Sequence, residues 1–218
     1  MALCIIKSVM ELGLQFVLTP ERYNPKRRMD ISDDDGVLLS DIISLSDNTI
    51  TMKNASGVEC YQINTSDAMG GYLKIPQQKV ILNSNKKILQ QGDVIISRLR
   101  PYLRQVAYVD IEKKDGLLVA STEFYVMRSR NNKSIAFLVP FLLSDVVQNV
   151  FVNSVEGSQH PRFKEDDLLN LVVPRSIFDA RDSISKKIVN AIQNYRIYEN
   201  GIIEETSQVN AIFSQQKK

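Results

Sequence analysis

Residues 93–109 read Asp-Val-Ile-Ile-Ser-Arg-Leu-Arg-Pro-Tyr-Leu-Arg-Gln-Val-Ala-Tyr-Val. Two runs of β-branched and aromatic residues, at 93–97 and 105–109, flank a basic segment around Pro101 and Tyr102. β-branched and aromatic residues favour strands, whereas proline punctuates them. This stretch therefore predicts two strands separated by a basic loop.

Runs of the same kind recur along the chain as far as Val172. Turn residues such as Asp, Gly and Asn bound them, which predicts a mainly β domain. Two stretches favour helices instead: residues 135–152, where apolar residues recur at helical spacing, and a short segment that starts at the acidic Glu165. The other β-type runs begin at Gly36, Asn48, Val80, Leu117 and Glu123.

The pattern changes after Pro174. From Ser176 to Gln216 there is no proline, and Gly201 is the only glycine. Apolar residues recur there every seven residues, as in a coiled-coil helix. The alternative is two shorter helices separated by a cap at Asn200-Gly201. The seam of a continuous helix would consist of Ile184, Ile188, Tyr195, Tyr198, Ile202 and Val209.

We therefore predict an α+β fold in which a β-rich domain with a few helices, residues 1–173, precedes a long coiled-coil-type helix, residues 174–218. A continuous helix would measure roughly 60 Å, which is longer than a small domain needs for its own core. Its apolar seam should pack against a partner helix, and we expect a homodimer.

Composition narrows the class of protein. The chain has 218 residues, of which 44% are hydrophobic and 24% charged, with no long apolar run. This composition excludes disordered and collagen-like chains, and we predict neither a signal peptide nor a membrane span. Cys4 and Cys60 stand in unrelated contexts, which fits a reduced, cytoplasmic setting. Because the net charge is only +2, an argument for nucleic-acid binding must rest on local clustering.

Sequence signatures of catalysis are missing. The chain lacks the glycine-rich phosphate and dinucleotide motifs, the serine nucleophile elbow and the zinc-protease motif. A single histidine, His160, cannot form a histidine-rich metal site. The acidic runs at residues 33–35 and 165–167 fit a solvated turn and a helix start. We therefore predict a non-catalytic protein without a metal or cofactor.

Basic residues cluster where loops are predicted. Residues 86–104 contain five basic residues and one acidic residue, a balance that suits a phosphate-bearing partner. Arginine can contact guanine or phosphate through two N–H groups, and glutamine can read adenine. The candidate DNA-contacting residues are Arg98, Arg100, Tyr102, Arg104, Gln159, His160, Arg162 and Lys164.

These candidates have structural alternatives. Arginines at strand ends often form surface ion pairs. A tyrosine such as Tyr102 is often half-buried, and His160 suits a turn in which its hydrogen bonds are satisfied. If the candidates do not contact DNA, the early basic cluster of Arg22 and residues 26–28 is the next choice.

Four segments, in this order, resemble the specificity (S) subunits of type I restriction-modification systems. They are Tyr61-Gln-Ile-Asn-Thr-Ser-Asp, Gln91-Gly-Asp-Val-Ile-Ile-Ser-Arg, Ala120-Ser-Thr-Glu-Phe-Tyr-Val-Met-Arg and residues 157–174. The last segment is the most specific, because a Gly-Ser pair, a short basic loop, Asp-Leu and a Val-Pro exit strand lead into the long helix. The resemblance extends over most of the chain from about residue 36 onward.

The resemblance implies a function. A complete S subunit has two target-recognition domains that alternate with two long helices, and each domain reads half of a bipartite DNA sequence. This chain, with one domain and one helix, resembles a half-subunit. Double-stranded DNA, a DNA methyltransferase (M) subunit and a restriction (R) subunit are the implied partners, and no catalytic residues carry over to this chain.

A second hypothesis needs no DNA. A β-rich adaptor that binds protein or carbohydrate, and oligomerises through its helix, would explain the apolar seam equally well. It would not predict basic residues concentrated at strand ends, so a positive face across those loops favours DNA.

Overall fold

The computed structural model of this chain describes residues 6, 8–9, 35–53, 57–113, 115–155 and 159–215. The early basic cluster of Arg22 and residues 26–28 lies outside the described residues. Within them the chain forms thirteen strands and six α-helices. The strands are β1 (Gly36–Leu38), β2 (Ile43–Leu45), β3 (Thr49–Ile50), β4 (Glu59–Ile63), β5 (Ala68–Met69), β6 (Tyr72–Leu73), β7 (Val80–Ile81), β8 (Lys86–Ile88), β9 (Val94–Ser97), β10 (Val106–Tyr108), β11 (Leu117–Ser121), β12 (Phe124–Ser129) and β13 (Val172–Pro174). The helices are α1 (Leu39–Ile42), α2 (Leu138–Leu143), α3 (Asp145–Ser154), α4 (Glu165–Leu169), α5 (Arg175–Asp179) and α6 (Arg181–Gln215).

Two larger sheets organise the β-rich part. One is a four-stranded antiparallel sheet in the order β10-β9-β12-β2. The other has five strands in the order β3-β8-β11-β4-β7, in which β11 and β4 run parallel and the other pairs antiparallel. Two short antiparallel pairs, β1-β13 and β5-β6, complete the set among the described residues. The predicted α+β fold with a long C-terminal helix is confirmed.

The four-stranded sheet is buried on both faces. Val94 and Ile96 of β9 pack in a cluster that includes α2, α3 and part of α6. The intervening Ile95 packs on the opposite face, with Phe124 and with Leu118 of the five-stranded sheet. Side chains alternate across a strand, so this two-sided burial requires apolar residues at consecutive positions, as in the run at 94–96.

The helical segment predicted over residues 135–152 is two helices rather than one. Ser144 interrupts it in an extended conformation, with φ −62° and ψ 146°, and its hydroxyl accepts a hydrogen bond from the backbone N–H of Val147. Serine favours this capping position because its side chain satisfies an amide that the first helical turn leaves unpaired. The prediction of a single helix was therefore wrong at Ser144.

Helix α6 is continuous through Gly201 and spans 35 residues. Its length is therefore about 52 Å, somewhat shorter than predicted because the short α5 precedes it. The alternative of two helices separated at Asn200-Gly201 does not hold. No helix among the described residues is long and apolar enough to span a membrane.

The first half of α6 belongs to the core of the β-rich part. Ile192 is buried, and Ile184 and Ile188 pack against the same cluster as α2 and α3. Arg196 anchors the next turn by donating hydrogen bonds to the Asp110 carboxylate, with Nη2 2.6 Å from Oδ1, and to the Leu73 carbonyl at 2.9 Å. The predicted boundary at residues 173–174 falls at the end of β13, and a division into two domains there remains a prediction.

The second half of α6 projects away from this core. Residues 200–214 are exposed throughout. The predicted seam positions Tyr198, Ile202 and Val209 are 65%, 55% and 48% exposed. Ile184 and Ile188, also predicted to face a partner, instead contact the chain's own core. The surface left for a partner is therefore the distal half of the helix, with Tyr195 at its base.

A buried ion pair supports the start of β9. The Asp93 carboxylate is 1% exposed and accepts two hydrogen bonds from the Arg128 guanidinium, each 2.8 Å long. It also accepts one from the backbone N–H of Gln90 at 2.8 Å. The pair links the turn before β9 to the neighbouring strand β12.

Replacing Arg128 with methionine should lower the free energy of unfolding by about 3 to 5 kcal/mol, because it leaves the Asp93 carboxylate buried without its cation. The double variant Asp93→Asn, Arg128→Met should recover part of that loss, because no charge then remains buried. Urea denaturation of the three proteins measures both effects. A loss below about 1 kcal/mol for Arg128→Met would contradict this account, because it is the value typical of an exposed pair.

Candidate nucleic-acid interface

One edge of the four-stranded sheet brings together two of the predicted basic loops. β9 ends and β12 begins there, with Ser97 paired to Phe124. The loop at residues 98–105 leaves β9 at this edge, and the segment at residues 159–164 runs beside it, joined by a bridge between Leu99 and Arg162. The backbone N–H of Arg100 donates to the Pro161 carbonyl at 2.8 Å. The two loops are therefore one continuous surface.

A single carboxylate lies between the two loops. Glu123 accepts hydrogen bonds from Nε of Arg98 at 3.1 Å and from Nε and Nη2 of Arg162 at 2.9 and 2.8 Å. The bonds from Arg162, with a further contribution from Arg98, hold the pKa of Glu123 below its ordinary value. Both arginines thus form ion pairs at a strand end, which was the structural alternative. Glu123 was not a candidate from the sequence, because nothing local marks it.

Arg100 differs from its neighbours. Its guanidinium makes no hydrogen bond or ion pair with any described residue, and its backbone is left-handed, with φ 50°. A short 3₁₀ turn, Pro101–Leu103, follows, and Arg104 after it also has a positive φ of 51°. Such backbone is uncommon for residues other than glycine, and strained residues cluster at functional sites. The turn thus holds a partly buried Arg100 whose side-chain donors are used by no described residue.

The tip of this turn is exposed. Tyr102 is 57% exposed and Leu103 is 43% exposed, so both side chains reach solvent although part of each is covered. Arg104 pairs with Asp145 at the start of α3, with 2.6 Å between Nη2 and Oδ1, and the two side chains are 49% and 81% exposed. An exposed pair of this kind is worth little, so it leaves Arg104 available to a phosphate.

The second loop contributes less uniform groups. Gln159 and His160 are exposed, and the His160 carbonyl accepts a hydrogen bond from Nη1 of Arg162 at 3.0 Å. Lys164 is the N-cap residue of α4, and its backbone N–H donates to the Asp167 carboxylate at 2.9 Å. All eight predicted contact residues thus lie on these two adjoining segments, although only some of them have free polar groups.

Lys87 extends the basic surface. It is one of the five basic residues of the stretch 86–104, but it is not among the predicted DNA contacts. It lies on β8, and its Nζ is 5.8 Å from the centre of the Tyr125 ring on β12. Burial lowers the pKa of Lys87, and the positive charge of Arg98 nearby also lowers it. Asp47 and Glu165 partly offset both effects. In the sequence, only the adjacent pair Lys86-Lys87 indicates a basic position here. Of the two, Lys86 is buried.

The described residues include no group of three His, Cys, Asp or Glu side chains that could hold a metal ion. The interface offers guanidinium, ammonium, amide and aromatic groups around the Glu123 carboxylate. These are groups that bind phosphates, base edges and base faces.

Neither a protein-family model nor a curated protein matches the chain. Solved structures do. A chain from a structural study of complex assembly and conformational transition of the type I restriction-modification (R-M) system is 22% identical, with a TM-score of 0.55, over 79% of this chain and 46% of that one. The HsdS subunit from Thermoanaerobacter tengcongensis is 20% identical, with a TM-score of 0.49, over the same shares.

This chain therefore spans about half the length of the two solved chains that it matches. At 22% identity, the similarity to the first of these chains is evidence about the fold alone. It confirms the fold resemblance predicted from the four sequence segments: the chain has the fold of part of a type I R-M system protein.

Proposed function

We propose that this chain recognises a specific sequence in double-stranded DNA, as the half-length specificity subunit of a type I or related restriction-modification complex. The observation that carries the proposal is the joining of two basic loops at one sheet edge, where the first loop carries Arg100, whose guanidinium pairs with no described residue. The shared fold with a type I R-M chain supports it. The adaptor hypothesis does not account for this concentration of cations.

Contacts with DNA divide into two kinds. Cations that meet phosphates fix the register of the protein on the duplex and carry no sequence information. Base edges are read by side chains that present two donors together, as arginine does to guanine. Arg100 is the primary candidate for base reading, because no other group in the described chain uses its donors. Arg104, Lys87 and Lys164, cations of the same surface, are the candidates for phosphate contacts.

The chain would act without catalysing a reaction itself. In the complex that we propose, methyl transfer belongs to an M subunit and cleavage to an R subunit, and this chain recognises the DNA sequence. The chain lacks the Asn-Pro-Pro-aromatic motif of adenine methylation, and the groups at the interface suit binding.

The projecting half of α6 would pair with a second long helix, most simply that of a second copy. An antiparallel pair has a two-fold axis, so the two recognition surfaces would read inverted copies of one half-site. The recognised sequence would then be an interrupted palindrome. The exposed residues 200–214 make up about 22 Å of α6. The overlap of two such segments, rather than the full length of about 52 Å, would set how far apart the halves of the recognised sequence lie, at about 3.4 Å per base pair.

Binding of a duplex should weaken steeply as salt rises, with a log-log slope of about 0.9 for each phosphate neutralised. Arg100→Ala should cost about 1 to 3 kcal/mol on a selected target and much less on random duplex. Fluorescence anisotropy of labelled duplexes measures both effects. The matched control is Lys133→Ala, since Lys133 is exposed beyond the opposite end of β12 and its loss should change neither affinity appreciably.

Two results would count against this proposal. An affinity that stays flat between about 50 and 200 mM salt would remove DNA as the ligand and favour the adaptor hypothesis. Equal losses for Arg100→Ala and Lys133→Ala would show that the reading surface lies elsewhere.

The dimer is tested separately. The double variant Ile202→Asp, Val209→Asp should give a monomer with unchanged thermal stability of the β-rich part, because both side chains are exposed in the single chain. Light scattering at micromolar concentration reports the mass. Ile197→Asp is the control, because Ile197 is 70% exposed on the same helix but outside the seven-residue seam. A wild-type monomer, or a dimer that survives the double variant, would contradict the prediction.

A further inference from the structure

We infer that Glu123 is a positioning residue for DNA recognition: it fixes the directions of Arg98 and Arg162 and thereby sets sequence preference without contacting DNA. This inference rests on the proposed function and names a determinant of its specificity. An acidic residue on a DNA-binding surface is usually expected only to weaken binding. Here, its removal should also lower sequence discrimination.

The backbone holds Glu123 in place. It forms, with Thr122, the corner at which the chain leaves β11 in one sheet and enters β12 in the other. Its carbonyl accepts a hydrogen bond from the N–H of Arg98 at 2.9 Å, and its N–H donates to Oγ of Ser121 at 3.3 Å. The side chain is 21% exposed. The carboxylate therefore has a fixed origin between the two loops.

Donor counting shows what this carboxylate does for Arg162. A guanidinium has five N–H groups. Nε and Nη2 of Arg162 each donate one to Glu123, and Nη1 donates one to the His160 carbonyl. One N–H on each terminal nitrogen is left, which is the number that a bidentate contact to guanine O6 and N7 requires. The side chain is still 39% exposed, so these donors are accessible while Glu123 holds the group still.

Charge gives the inference a distinctive consequence. Two guanidiniums and one carboxylate sum to one positive charge, and the carboxylate keeps the two cations close despite their mutual repulsion. Without it, Arg98 and Arg162 would separate and meet phosphates in many geometries. Random DNA would then bind as tightly as before or more tightly, and discrimination between base pairs would fall. A variant that merely unfolds the surface would weaken both.

The test is selection from a random duplex library by wild type and by Glu123→Gln, followed by affinity measurements on the selected and a random duplex. Wild type should enrich a motif. At one base pair of that motif, Glu123→Gln should discriminate between the preferred and other base pairs about 5- to 150-fold less than wild type. Its affinity for random duplex should be unchanged or higher, with a salt slope steeper by up to about 0.9.

Two further variants keep the test decisive. Glu59→Gln makes the same change of charge on an exposed side chain at the opposite end of the strands, and it should keep the wild-type motif. Glu123→Asp keeps the charge but withdraws the carboxylate by one methylene. It should lose discrimination at the same base pair with no change on random duplex, and it decides the matter if Glu123→Gln does not fold.

An unchanged motif in both Glu123 variants would overturn the inference. Equal weakening on selected and random duplex would also overturn it, because that is the result of a merely structural role. A wild type that enriches no motif and binds no duplex would instead refute the proposed function, so the two failures are distinguishable.

Discussion

The four-stranded sheet is buried on both faces, and this constraint determines where the protein can present charge. β9 is buried along its whole length, with helices on one side and the five-stranded sheet on the other. Most polar side chains of this sheet therefore lie toward the strand ends, as Ser97, Arg128 and Ser129 do. At the edge where β9 ends and β12 begins, the result is a surface of basic loops supported by a rigid core.

The same constraint explains the division of the long helix. Its first half covers the apolar face of the sheet through Ile184, Ile188 and Ile192, and Arg196 fixes its direction by binding Asp110. The Asp110 carboxylate is only 4% exposed, so this contact is well shielded from water. Beyond it the helix has no core to cover. One continuous apolar seam thus serves two purposes, packing within the chain and, as we propose, pairing with another.

Much of this arrangement could be predicted from the sequence because it depends on local patterns. The runs at residues 94–96 and 124–127 indicate strands, and the seven-residue repeat after Pro174 indicates a long helix. The basic loops were visible as clusters. The role of Glu123 was not, because its partners lie 25 and 39 residues away and only the sheet pairing brings them together. For the same reason, the sequence could not show that Ile184 and Ile188 pack on the chain's own core while Ile202 and Val209 stay exposed. A seven-residue repeat indicates an apolar helix face but not which surface packs against it.

The central claim is that the joined loops at residues 98–105 and 159–164 face DNA. Site-specific photo-crosslinking to a labelled duplex tests it most directly, with the photoreactive p-benzoylphenylalanine replacing Tyr102 in one protein and Ile81 in another. Both side chains are well exposed, at 57% and 63%, and Ile81 lies on β7 at the far edge of the five-stranded sheet. Crosslinking from position 102 that disappears at high salt, with none from position 81, is the predicted result. Crosslinking from position 81 alone, or equally from both, would contradict the account.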